Sequence, residues 1–127
     1  MSDKLTITLT DRPPVKIVRD EWPVIASASD ERWDNTYKFQ ANRTWEWRIT
    51  VRQHADRRTL VYAVYEYDTC YENEPDSDHR AGVFLSPDGD VIAAIQQVGS
   101  DMEGRVGDGV FARLVHECVA GLPAIEI

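Results

Sequence analysis

The stretch that decides the fold is Trp45-Glu46-Trp47-Arg48-Ile49-Thr50-Val51-Arg52-Gln53-His54, then Ala55-Asp56-Arg57-Arg58, then Thr59-Leu60-Val61-Tyr62-Ala63-Val64-Tyr65-Glu66-Tyr67-Asp68. Successive side chains of a strand point to opposite faces, so a period of two sustained this long marks a half-buried strand. The short polar break makes the two runs one antiparallel hairpin. With Asp56-Arg57 at the turn, one face pairs Arg52 with Val61, Arg48 with Tyr65 and Glu46 with Tyr67. The other face pairs Val51 with Tyr62, Ile49 with Val64 and Trp47 with Glu66. The second face is the more apolar and is expected to lie against a helix. The first is expected to be a solvated ladder of Arg and Tyr. A register slip of one residue would reshuffle these partners.

Working outward, Lys4–Thr10 alternates Leu5, Ile7 and Leu9 with threonines and reads as a strand, stopped by Pro13-Pro14. Proline has no N–H to give to a ladder. Val15–Val18 reads as a second short strand, and Glu21–Ala28 is ambiguous around Pro23. Thr36–Ala41 alternates and leads into the hairpin, which makes a meander. Ala81–Leu85 is a further strand, closed by the turn signal Ser86-Pro87-Asp88-Gly89. Val91–Ile95 reads as strand in preference to helix. Gly99–Gly109, with four glycines, reads as a loop. Val110, Phe111, Leu114, Val115, Cys118 and Val119 form one stripe of a helix over Asp108–Ala120. Asp108 is its expected N-cap and Gly121 its expected C-terminal stop.

These elements predict an α+β fold: a mostly antiparallel, twisted sheet of five to six strands with a meander core, and one C-terminal helix packed on one face. The length of 127 residues, with no linker, repeat or low-complexity tract, predicts one globular domain over 1–127. No apolar run approaches the roughly 20 residues needed to cross a bilayer. No signal-peptide core follows Met1, so the expected location is the cytoplasm. Cys70 and Cys118 are then expected to be free thiols.

The net charge of −8 is unevenly spread. Residues 1–65 carry +2, residues 66–90 carry −7 and residues 91–127 carry −3. An acidic block of this kind repels nucleic-acid phosphates and favours basic partners or cations.

Catalytic chemistry finds little support. Gly104-Arg105-Val106-Gly107-Asp108-Gly109 matches neither the dinucleotide fingerprint nor the P-loop. Cys118 lies on an apolar helical stripe, and the acids around Cys70 disfavour a thiolate. Cys70, His79, His116 and Cys118 lack zinc-module spacing. Glu72, Glu74, Asp76 and Asp78 alternate as oxygen ligands can, yet lack the EF-hand's glycine and terminal glutamate. No catalytic residue, metal or cofactor is assigned, and an enzyme is not the expectation.

The function expected is a small acidic, cytosolic protein-binding or adaptor module. Its partner-binding candidates are Arg43, Arg48, Arg52, Tyr65 and Tyr67 on the sheet, with Glu72, Glu74, Asp76 and Asp78 in the acidic loop. Arg and Tyr are frequent interface anchors. The partner is an unidentified protein, with a homodimer as one case; nucleic acid and membrane are not expected. One rival is an acidic DNA mimic that inhibits a nucleic-acid-handling protein. Another is a small-molecule binder or enzyme with a pocket between sheet and helix. Its candidates are Trp47, Glu66 and Tyr62, with Trp22, Trp33 and Trp45 as further lining.

Overall fold

A computed structural model describes residues 3–10, 12–34, 43–69, 78–106 and 109–123. Its elements are β1 (Lys4–Ile7), β2 (Val15–Val18), a 3-10 turn (Arg19–Glu21), β3 (Val24–Asp34), β4 (Arg43–Gln53), β5 (Thr59–Thr69), β6 (Asp78–Leu85), α1 (Val91–Val106) and α2 (Val110–Ala120). The fold is α+β. The strands form two antiparallel sheets rather than one: a two-stranded β1-β2 hairpin and a four-stranded meander in the order β3-β4-β5-β6. Two helices follow, where one was expected.

The central hairpin is β4-β5, but its register is one residue away from the expected pairing. Gln53 pairs with Thr59, Arg52 with Leu60, Arg48 with Val64 and Trp47 with Tyr65. The cause lies in the turn. His54 N–H donates to the Arg58 carbonyl and Arg57 N–H to the His54 carbonyl, both at 2.9 Å. Only Ala55, Asp56 and Arg57 remain in the loop, and Arg57 takes the left-handed conformation at φ 75°. A three-residue hairpin loop commonly ends on such a residue. An odd loop pairs residues of like parity, so Tyr62 joins the face of Arg48 and Arg52, and Tyr65 joins that of Trp47.

One sheet face is buried by both helices. Ile49, Val51, Val61 and Ala63 are fully buried there beneath Ile95, Val98 and Met102 of α1 and Phe111, Leu114 and Cys118 of α2. Val91–Ile95 is the first turn of α1 rather than a strand. The Asp90 carboxylate accepts the Ala93 N–H at 3.0 Å and caps that turn. The apolar stripe then continues over Ala94, Ile95, Val98 and Met102. Gly99 and Gly104 therefore lie inside a helix, and the expected loop is helical to Val106. A methyl group at Gly99 would run into Val115 Cγ2, so this glycine sets how closely α2 packs.

α2 begins after Gly109, which occupies φ 75°, and stops at Gly121, whose φ of −85° is right-handed rather than the left-handed stop expected. The proposed cap Asp108 and the proposed strand Thr36–Ala41 lie outside the described residues. The meander's first strand is instead β3, drawn from the ambiguous stretch after Pro23.

The opposite sheet face carries a second core. Ile7, Leu9, Ile17, Trp22 and Leu60 are buried there, with Tyr62 and Phe84 packed against them. β1 is shorter than expected, because the chain beyond Ile7 leaves β2 and crosses β6. Thr10 N–H donates to the Gly82 carbonyl at 2.9 Å and the Gly82 N–H donates to Thr10 Oγ1 at 3.2 Å. A side chain at Gly82 would strike the Thr8 carbonyl oxygen, so this crossing requires glycine.

Candidate functional site

The N-terminal hairpin covers only part of the second sheet face. Beside it remains a cleft of about 240 Å³, floored by β4, β5 and β6 and walled by β1 and the 3-10 turn. Among the described residues four arginines line it: Arg19, Arg48, Arg52 and Arg80. The ladder accounts for three of them. Arg48 and Arg52 lie four residues apart on β4 and so share a face. Val64 pairs with Arg48 on one side and Arg80 on the other, so two strand spacings, about 10 Å, separate those arginine positions. Arg19 arrives from the turn that follows β2.

The arginines are held differently. Arg19 pairs with Asp3 at 2.7 Å, its side chain 42 % exposed, and Arg48, 49 % exposed, pairs with Glu46 two residues away. Such surface pairs contribute about 0–1 kcal/mol each. Arg52 is part-buried and oriented by neutral acceptors. Its Nε donates to the Tyr62 hydroxyl and its Nη1 to the Trp22 carbonyl, both at 3.0 Å. Among the described residues no carboxylate lies within ion-pair distance of it. Arginine has five N–H donors, and these two bonds leave three, both on Nη2 among them. The result is an oriented guanidinium at the edge of a cleft, without a carboxylate partner among the described residues.

Behind it stands a supporting cluster. The Trp22 ring is buried, with the His54 ring 5.2 Å away and the Arg58 guanidinium over it at 5.2 Å. The Arg58 backbone N–H, and after it the Arg58 side chain, hold the Asp56 carboxyl below its ordinary value. This network anchors the β4-β5 turn and, through the Trp22 carbonyl, the Arg52 head.

Of the residues singled out in the sequence, Arg48, Arg52 and Tyr62 converge in the cleft. Tyr65 does not join the arginines. Its ring packs on Trp47 at 5.2 Å, on the helix side. The register places Glu66 opposite Glu46 rather than Trp47, and Asp78 opposite Glu66. Trp47 and Tyr62 thus lie on opposite sides of the sheet and line no common space. Arg43 pairs with Thr69 and Tyr67 with Trp45 at the far end of the ladder, with Arg43 nine residues, about 30 Å, from Arg52. Glu72, Glu74 and Asp76 lie outside the described residues.

Arg19, Arg80, Thr6 and Thr8 were not among the candidates. Nothing in their local sequence marks them: the β5-β6 register brings Arg80 to the cleft, and the docking of the N-terminal hairpin brings Arg19, Thr6 and Thr8.

Between sheet and helices, where a ligand pocket was considered, Ile49, Ile95 and Phe111 are fully buried against one another. Burial pushes the Cys118 thiol up to about 11, which disfavours the thiolate that would act as a nucleophile. Among the described residues, no group of three His, Cys, Asp or Glu could hold a metal ion. No helix there is long and apolar enough to cross a membrane. In comparisons with known proteins no family model, no curated sequence and no solved structure matches this chain, so its functional reading rests on the cleft itself.

Proposed function

We propose that the protein is a non-catalytic binding module that receives an acidic segment of a protein partner in the arginine cleft. The observation that carries this reading is Arg52, an oriented guanidinium with three free N–H donors and no carboxylate partner among the described residues. A hydrogen bond to a charged group contributes about 1.5–3 kcal/mol. Arg19 and Arg48 add to the field, since their exposed partners Asp3 and Glu46 can be exchanged for an incoming carboxylate at small cost. A nucleic acid also offers anions, but the chain's net charge of −8 opposes a phosphate backbone. A small molecule would need more enclosure. Typical ligand pockets hold about 300–1,000 Å³, and this cleft is smaller and open.

The test is fluorescence anisotropy with a labelled Glu-rich peptide and a labelled single-stranded oligonucleotide of equal charge, on the full chain. The expected result is salt-sensitive peptide binding, weakened at least tenfold by Arg52→Gln at a temperature where circular dichroism shows the variant folded, with the oligonucleotide binding more weakly. Equal affinity of Arg52→Gln, or tighter binding of the oligonucleotide, overturns the proposal.

A further inference from the structure

The wall of the cleft specifies the shape of the ligand as well as its charge. Leu5, Thr6, Ile7 and Thr8 line it consecutively. No residue of β2 lines the cleft, so β1 meets it on the side away from its hairpin partner. Among the described residues β1 pairs with β2 alone. Its other edge therefore carries main-chain N–H and C=O groups of the kind that template an added strand. Unpaired edges recruit extended peptides in this way, with main-chain bonds giving affinity and side-chain pockets giving selection.

We infer that the acidic segment docks as an extended strand on the free edge of β1, with carboxylates at every second residue turned to the arginines. Residues two apart on a strand lie about 7 Å apart and residues four apart about 14 Å. Arg48 and Arg52, four residues apart on β4, have that longer spacing. Arg80, about 10 Å across the ladder from Arg48, falls within reach of a flexible side chain placed between them. An alternating acid pattern can thus meet several guanidiniums at once, whereas a contiguous acidic block turns half of its carboxylates away. Arg52 is the selective element, because its head is already held by Tyr62 and Trp22 and loses little freedom on binding.

This inference rests on the acidic-segment reading, and the experiment separates the two. Two acetylated, amidated heptapeptides of Thr and Glu are compared, one alternating (Thr-Glu-Thr-Glu-Thr-Glu-Thr) and one with the three Glu contiguous. The alternating peptide is also made in two N-methylated forms, each blocking every second amide in complementary registers. A strand added to β1 turns only alternate amides toward that edge. The alternating peptide is therefore expected to bind at least tenfold tighter than the block, and one methylated form is expected to lose binding while the other keeps it. Equal binding of the two patterns, or methylated forms that behave alike, overturns the strand mode and leaves the acidic-segment reading standing. No binding by either peptide overturns both.

Discussion

Arg52 and Cys118 show how position alone decides what a reactive-looking side chain can do. Arg52 sits at a sheet face that a hairpin covers incompletely, so its charge stays near water while its orientation is held from behind. Cys118 sits on the buried stripe of α2, and removal from water disfavours its thiolate. The consequence for stability has a definite sign. A group whose folded pKa is raised, here from 9.0 to about 11, contributes stability that is present below the unfolded value and is lost as pH rises through the folded one. In a Cys70→Ser background, the stability difference between the parent and Cys118→Ala is expected to be flat below pH 9 and to fall between pH 9 and 11. Urea titrations across that range check it. In the same background, a thiol reagent at pH 8 is expected to modify Cys118 only as fast as the protein unfolds.

At the scale of the element, the β4-β5 turn carries the most consequence. Alternation marks both strands plainly, and the hairpin is where the sequence places it. Its register depends on whether the loop holds an even or an odd number of residues. Ala55-Asp56-Arg57-Arg58 contains no glycine or asparagine to announce a left-handed position. Arg57 takes it nonetheless, with Asp56 accepting the Arg58 N–H at 3.0 Å and supporting the turn. A left-handed conformation costs an ordinary residue about 1–2 kcal/mol. Arg57→Gly is therefore expected to raise stability by about 0.5–1 kcal/mol after its own entropy cost, a rise of a few degrees in a calorimetric scan.

At the scale of the whole molecule, one four-stranded sheet serves two cores. Val61 is buried beneath the helices, while its neighbour Leu60 is buried beneath the N-terminal hairpin. Shared strands tie the two faces into one transition, but only the hairpin face borders the cleft. Ile7→Ala and Phe111→Ala each leave a void that the surroundings fill incompletely, at a cost of about 2–5 kcal/mol. Each is expected to lower one thermal transition that is coincident by tryptophan fluorescence and circular dichroism. Below that transition the two are expected to differ: Ile7→Ala loosens β1 and weakens acidic-peptide binding severalfold, and Phe111→Ala leaves binding unchanged. Anisotropy titrations at a temperature where both variants are folded check the difference.

What the sequence determined by itself is what short-range physics governs. The period-two runs of the central hairpin became β4 and β5, and the stripe from Val110 to Cys118 became a helix. Where two local signals conflicted, tertiary packing decided. The β-branched start Val91-Ile92 and the glycines at 99 and 104 read as strand and loop, yet α1 forms because the meander's apolar face needs the stripe from Ala94 to Met102 to cover it. The site belongs wholly to the tertiary structure. Arg19, Arg52 and Arg80 are far apart in the chain, and no spacing rule connects them. They meet because an odd-length turn put Tyr62 beside Arg52, and because a glycine at 82 let the N-terminal segment cross β6 and lay β1 along the cleft.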